Sequence, residues 1–540
     1  MTPAPANGES GGTPSAGRPL GRIATIAAFA VAALLLAAWV PHYLTWPLWS
    51  DADCRLMQAR AWDAGQAAPY RDVVTFNFPG EVYLYWVLGK AFGWERAPLV
   101  IRVFDAAFLV AFGAALALWS RRLFGRALPG AIAFVALLWA YLGFDVLDTG
   151  QRDWFGPVLA IESVLVLETT RSRAARAFSA LLFAAGFVIR PHVVLFVPAA
   201  VAAAFEPRDG TAAPAPRRAA GEWLAFLAGG VALGFLPLAA GGLVPDLLRG
   251  LAIAAPGGAY HEHDHRTVAT VAAALWDEVS RHKTAFFPCV SVGLALLLRS
   301  AFLPVARTWA VAAAGGLLYA PLHPHQYHYL EIPSRLLQVV QVGIVAGILL
   351  HSKAWRPAAR AAAGAAVFWL ALPGTPRRWP GIPDFCSFAD SAAALKTLTR
   401  GEAPATAPPG VRGHFAPSPS GRYEWGDYCR VLDHLRREIP RSTRVASMFR
   451  NWCFPALNGM ADRGPVFPTD QGIVWTWQIA PEYEHACAVA LERTPDSVVV
   501  WVPGEDPVSW GGPLPELEAA VRRLYVPDAQ FGAIEVWRRR

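Results

Sequence analysis

Residues 23–53 read IATIAAFAVAALLLAAWVPHYLTWPLWSDAD. The run 23–40 is apolar and uncharged, and with its flanks it reaches the roughly 20 helical residues needed to cross a hydrocarbon core. Trp46 and Trp49 follow, a residue type that collects at membrane–water interfaces. Asp51 and Asp53 come next. Carboxylates beside a membrane are costly to place and are rarely idle. A greasy helix, an aromatic rim and two acids, in that order, predict an integral membrane protein whose first loop carries chemistry. The plainer alternative is that Asp51 or Asp53 caps the helix that follows.

The rest of the chain agrees with a membrane protein. Of 540 residues, 54% are hydrophobic and 16% charged, whereas soluble domains carry about 25% charged residues. Apolar cores at 23–40, 98–119, 127–144, 154–169, 176–189, 192–205, 222–244, 285–302, 308–322, 333–350 and 358–373 predict about eleven transmembrane helices. The fifth and sixth are short and meet at the Arg190-Pro191 break, so the pair also reads as one kinked, re-entrant feature. GGVALG (229–234) inside a span indicates close helix packing. The net charge of +7 reflects topology and does not support a nucleic-acid reading. RRLFGR (121–126), RSRAAR (171–176), EPRDGTAAPAPRRAA (206–220), RSAFLPVAR (299–307) and HSKAWRPAAR (351–360) are all basic, and they alternate with loops that hold most of the acids. The positive-inside rule then puts the N-terminus in the cytoplasm. It puts loops 41–97, 145–153, 245–284 and 323–332 on the outer face of a bacterial-type inner membrane.

Domain organisation follows. Residues 1–20 are a Pro/Gly/Ser-rich cytoplasmic tail expected to be disordered, and 23–40 reads as an uncleaved anchor rather than a signal peptide. Residues 21–374 form the membrane domain. A Pro/Gly-rich linker spans 375–425. Residues 426–540 make an extracytoplasmic α/β domain of roughly 115 residues, enough for its own core. DYCRVLDHLRREI (427–439) and PELEAAVRRL (515–524) are amphipathic, and RVASMF (444–449), SVVVWV (497–502) and GAIEVWRR (532–539) read as strands. Cys386, Cys429, Cys453 and Cys487 fall on this side, where an oxidising compartment allows up to two disulfides, or free buried thiols.

The first outer loop is the richest in candidates. DCRLMQARAWDAG (53–65) is a helical stretch stopped by Gly65, and its apolar face suggests that it lies in the membrane interface. Then come PYRD (69–72), FNFPG (76–80), YLYW (83–86) and FGWERAPLVIR (92–102). The series from Asp51 through Ala59, Gly65, PYRD, FNFPG and YLYW to Arg102 resembles the first outer loop of bacterial GT-C glycosyltransferases. These are the lipid-linked-sugar enzymes related to protein mannosyltransferases and lipid A aminoarabinose transferases. The resemblance spans the pattern of helices and loops to about residue 350. It implies a GT-C-like fold, a loop folded as two helices along the membrane, a polyprenyl-phosphate sugar donor and inversion at the transferred sugar. It also implies an active-site acid just past the first span. Asp51 matches that acid best in spacing, with Asp53 second; the family often has Asp-Glu or paired Asp there, whereas this chain reads Asp-Ala-Asp, which leaves the choice between the two open. Chemically, glycosyl transfer needs a base for the acceptor proton, and an outer carboxylate supplies one.

The second outer loop, YLGFDVLDTGQRDWFGP (141–157), brings Asp145, Asp148, Gln151, Arg152 and Asp153. Its GQRD resembles a motif of some bacterial members, which makes Asp148 or Asp153 the second acid and Gln151 and Arg152 substrate-lining. The other reading is an Asp-Thr-Gly turn and a helix cap. A lipid phosphate wants a guanidinium. Arg190 in FVIRPH is the first candidate, with Arg335 and Arg102 after it. Arg190 can instead be read as a snorkelling anchor, and Arg102 as half of an internal pair with Asp105. Tyr70, Asn77, His328 and Tyr329 complete the substrate-lining set, although HPHQYHYLEIPSR (323–335) is equally an aromatic belt. HEHDH offers His261, His263 and His265 as candidate metal ligands. Otherwise no cofactor is implied, and a divalent metal is left open. There is no Walker loop, no GxGxxG after a strand and no HExxH. The leading expectation is a glycosyltransferase moving a hexosyl or pentosyl unit to an unspecified acceptor, glycan, lipid or protein, on the outer face, with membrane lipids as partners. A transporter or flippase of a polar lipid or lipid-linked sugar would need midplane charges and repeat symmetry, which the sequence does not display. A non-catalytic scaffold would leave the acidic first loop without a role.

Overall fold

A computed structural model of the chain describes residues 17–170, 172–205, 216–255, 267–282, 285–322, 328–352, 356, 359–360, 362–366, 385–400, 404–414, 424–448, 457–468, 482–503 and 514–540. Helices lie over every apolar core up to residue 350. They are α1 (Gly17–Tyr43), α2 (Ser50–Asp63), α3 (Gly80–Phe92), α4 (Ala97–Phe124), α5 (Leu128–Tyr141), α6 (Arg152–Thr169), α7 (Arg173–Ile189), α8 (Val197–Phe205), α9 (Pro216–Ala240), α10 (Val244–Ala254), α11 (Val268–His282), α12 (Phe286–Leu297), α13 (Leu303–Tyr319) and α14 (Ile332–His351). Four stretches among the described residues are long and apolar enough to cross a membrane: Gly21–Tyr43, Trp94–Phe124, Arg217–Ala240 and Tyr329–His351. The last is 94% buried, which makes α14 the central helix, packed by α5, α13, α12, α6 and α4. Ile23, Ile26, Leu34, Leu118, Leu233 and Leu236 on α1, α4 and α9 point outward and are exposed. Apolar surface on that scale marks a membrane or an interface rather than water.

The break between the fifth and sixth cores is real. α7 stops at Ile189, Arg190 is extended, a 3-10 turn covers Pro191–Phe196, and α8 follows. Proline at 191 removes an amide donor and forces the preceding residue out of the helical region. α6 and α7 approach unusually closely just before this break. A Cβ on Gly186 would lie 2.6 Å from the Gly156 carbonyl oxygen, and one on Gly156 would lie 2.8 Å from Cβ of Arg190. Only glycine permits that approach, and it sets Arg190 over the first turn of α6.

Three expectations are corrected. First, α2 is no surface helix with one apolar face, because Asp51–Ala59 are all buried. Leu48, Ala52, Leu56 and Ala59 pack on Val82, Tyr85, Leu88, Ala97 and Ile101 of α3 and α4, while residues 457–468 cover the opposite side. Second, the 375–425 stretch is not plain linker. It contains α15 (Phe388–Arg400), which docks on α1 where the Ser391 hydroxyl and the Ser387 amide donate to the Ala38 carbonyl at 2.8 and 3.1 Å. Third, two elements went unread beyond residue 425. α16 (Trp425–Arg437), β1 (Arg444–Met448), β2 (Ser497–Trp501), α18 (Pro515–Leu524) and β4 (Ile534–Arg539) match the expected elements, and α17 (Glu482–Arg493) and β3 (Tyr525–Phe531) are added. The sheet order is β1-β2-β4-β3, with β1 and β2 parallel and the other pairs antiparallel. Cys386 and Cys429 are free thiols, which leaves no room for two disulfides among the four cysteines. Cys453 lies outside the described residues.

Candidate active site

The first turn of α2 meets the first turn of α6. Arg152 opens α6 after an extended Gln151, and its Nη2 donates to Oδ2 of Asp51 at 2.8 Å. Asp153 points elsewhere, since neighbours on a helix are about 100° apart. Its Oδ1 lies 2.8 Å from Nε of Arg190 as an ion pair and accepts from the Tyr319 hydroxyl at 3.0 Å, while Nε of Arg190 donates to that same hydroxyl oxygen at 3.4 Å. Nε of Arg152 lies 3.6 Å from Oδ2 of Asp153. Asp51, Arg152, Asp153 and Arg190, all named from sequence, thus form one chain of alternating charges joining α2, α6 and the α7 break. All four are buried. Burying charge is tolerable only with such pairing. Even so, Nη1 of Arg152 and Nη2 of Arg190 have no hydrogen-bond partner among the described residues. Buried guanidinium donors left over in this way call for a ligand or water.

Asp53 and Asp148 are placed differently. Asp53 turns away from Arg152 and accepts from the amides of Gly459 and Met460 at 3.1 and 2.5 Å. Burial pushes its carboxyl up, and the two amides pull it back. Asp148 sits in the turn before α6, where Gly150 takes φ +65°. Burial, then Asp145, push its carboxyl up to about 8 against the pull of Arg335. Its Oδ1 is buried with no partner among the described residues. Arg335 donates to Glu331 at 2.8 Å and lies over the Phe144 ring at 5.2 Å.

Other candidates fall outside the charged chain. Arg102 is held by protein at both terminal nitrogens, with only Nε left without a partner among the described residues: Nη1 donates to the Tyr43 hydroxyl at 2.9 Å and to Thr149 Oγ1 at 3.1 Å, and Nη2 donates to the Pro47 carbonyl. The Tyr43 hydroxyl in turn donates to Asp105. This is the internal Arg–Asp pairing, bridged by a tyrosine. Tyr70 packs with Leu238, Leu243 and Leu247 and donates to the Asn77 carbonyl at 2.9 Å, so both residues shape the turn after α2. Gln151 donates to the Leu147 carbonyl. Tyr329 is buried and close enough to Arg152 and Arg190 to be felt electrostatically. His328 opens a 3-10 turn at 328–331. His261, His263 and His265 lie outside the described residues.

Sequence reasoning missed Tyr319 on α13, Arg55 on α2 and Glu81 on α3. Glu81 is buried, accepts from Tyr85 at 2.9 Å, and feels Arg152, Arg55 and Asp51. Burial pushes its carboxyl up and those arginines pull it down. A charged residue inside an apolar stretch was the available signal for Glu81; Arg55 sits in a polar stretch, and nothing local marked it. Nothing local marked Tyr319.

With this geometry in hand, comparison with known proteins places the fold. The chain is similar in fold to ArnT from Cupriavidus metallidurans. The ArnT structure bound to undecaprenyl phosphate superposes with a TM-score of 0.55 at 13% identity, over 95% of this chain and 97% of that one. The apo form gives 0.54 at 13% identity, over 96% and 98%. No protein-family model and no curated protein matches the chain.

Proposed function

We propose that this chain is a GT-C-type membrane glycosyltransferase that takes a sugar from a polyprenyl-phosphate donor and passes it to an acceptor on the outer face of the membrane. The observation that carries the reading is the pair of buried guanidiniums, Arg152 and Arg190, each keeping a buried N–H donor without a partner among the described residues, beside a buried carboxylate, Asp51. Guanidinium edges suit the oxygens of a phosphate leaving group. The ArnT structure of the same fold holds undecaprenyl phosphate, which supports a polyprenyl-phosphate donor here.

The chemistry then has a simple form. Asp51 accepts the proton of the acceptor hydroxyl as that oxygen attacks the anomeric carbon. The bond from the anomeric carbon to the phosphate oxygen breaks, and the charge left on phosphate falls on Arg152 and Arg190. A single displacement inverts the anomeric centre. Asp153 and Tyr319 hold Arg190 in place for this, and Tyr329 borders the site. The N-terminus is read as cytoplasmic, residues 21–374 as the membrane domain with about eleven spans, and 426–540 as an extracytoplasmic domain covering the site.

Proteoliposomes with a labelled polyprenyl-phosphate sugar test this reading. Wild type should release polyprenyl phosphate and transfer label, and Asp51→Asn should lower the rate by about 10²–10⁴-fold, the usual worth of a positioned base. Full activity in Asp51→Asn would remove the base assignment. Movement of intact donor across the bilayer without product would favour a flippase.

A further inference from the structure

α2 carries two acids two residues apart, which on a helix sets them about 200° apart, on opposite faces. Asp51 faces the bundle and Arg152. Asp53 is 0% exposed, with both oxygens accepting backbone amides, from Gly459 and Met460. Further along, Arg60 pairs with Asp462. A Cβ on Gly464 would run into the Gln66 side chain, and the Val74 amide donates to the Pro468 carbonyl at 2.9 Å. Residues 457–468 therefore run as a strap in register along α2 and the turn after it, 459 at 53, 462 at 60, 464 at 66 and 468 at 74.

The strap is stiff because it is fastened from behind. Nδ2 of Asn458 donates to the Val445 carbonyl at 2.8 Å, and its Oδ1 accepts from Ser447 at 2.6 Å, both on β1. Buried Arg463 donates to the Ile439 and Leu435 carbonyls at the end of α16. The contact with α2 is also tight. A Cβ on Gly459 would lie 2.7 Å from both the carbonyl oxygen and Oδ1 of Asp53. No proton-transfer role suits a carboxylate so enclosed, and its position does suit a mechanical one.

We propose that residues 457–468 are a clamp that sets the orientation of α2, and that Asp53 is the positioning residue through which the clamp directs Asp51 onto Arg152. The inference rests on the reading of Asp51 and Arg152 as the working end of a polyprenyl-phosphate site. It makes that site conditional on the C-terminal sheet, although the sheet contributes no side chain to it among the contacts above.

The test uses the full chain in lipid nanodiscs, with undecaprenyl phosphate as the probe and two readouts. One is amide exchange of residues 50–63, with α4 and α6 as internal references. The other is probe affinity. Gly459→Ala, which forces the strap off while keeping every charge, and Asp53→Asn should each speed exchange in α2 by about tenfold or more and weaken probe binding by a similar factor, as expected for losing hydrogen bonds to a charged group. Exchange in α4 and α6 should stay unchanged. Asp53→Glu, which can still accept from the amides, should recover part of the loss. Should either variant fail to fold, the milder Arg60→Gln carries the test, with a smaller increase in the same direction. Unchanged α2 exchange in the folded variants overturns the clamp, and so does lost probe binding with α2 still protected, which would place Asp53 on the ligand itself. A wild type that does not bind the probe overturns the proposed function instead, and the exchange readout then decides the clamp on its own.

Discussion

Each acid of the opening loops acquires its role from the direction in which its side chain leaves the backbone. Asp51 and Asp53 differ by two positions, and Arg152 and Asp153 by one, yet each pair diverges to different partners. The sequence marked all four positions, but Asp-Ala-Asp does not say which acid faces the arginines. That depends on where α6 starts, which is a matter of packing. Asp148 gives a prediction at this scale. Its folded carboxyl is raised to about 8, against about 3.9 in an unfolded chain. The proton it keeps on folding stabilises the protein at low pH, and that contribution is lost as pH rises through about 8. Thermal unfolding in detergent should show stability falling from pH 5 to pH 9, with Asp148→Asn flattening the profile. Arg102 gives another. Because protein groups hold its guanidinium, Arg102→Met should cost about 3 kcal/mol of stability and leave probe affinity of the folded fraction unchanged. A selective loss of affinity would restore its reading as a phosphate ligand.

Among the elements, helix identity was legible and helix environment was not. Apolar runs with basic flanks give α1, α4 and α9 directly, because a soluble helix rarely stays apolar over such a length. The α2 stretch misled because its alternating apolar and polar residues suit an interface helix, whereas its polar residues are buried against partners remote in sequence. The α6–α7 pair brings a sharper expectation. Gly156 and Gly186 let the two helices touch and carry Arg190 to Asp153. Gly156→Ala should cost about 1–3 kcal/mol by overpacking, and in the molecules that fold it should lower transfer more than donor affinity, since Arg190 shifts while Arg152 stays. A kinetic split between kcat and KM reads this. Equal loss in both would mean that the helix pair positions the whole site.

For the whole molecule, the orientation inferred from basic loops has a direct check. Gln530 on β3 and Ala174 at the start of α7 are both exposed, and the positive-inside reading puts them on opposite sides of the membrane. In intact cells a membrane-impermeant maleimide should label Gln530→Cys readily, and Ala174→Cys only after permeabilisation. The reverse pattern would invert the topology and place the site on the cytoplasmic face.

The sequence by itself determined the apolar, many-helix class of this protein, the basic-loop asymmetry, and a short set of charged residues too costly to bury without use. These are additive and local: transfer free energy sums along a helix, and a stray charge is conspicuous wherever it lies. Only the tertiary structure decided that Arg152 takes Asp51 and Arg190 takes Asp153, that Tyr319 joins them, and that Arg102 belongs to Tyr43 and Pro47 instead. It alone showed that Asp53 is claimed by two backbone amides more than 400 residues away. Backbone amides carry no sequence signature, and ion pairing in a buried site depends on distances of a few ångströms between elements. Those distances are fixed by helix crossings and glycine contacts that no linear pattern encodes.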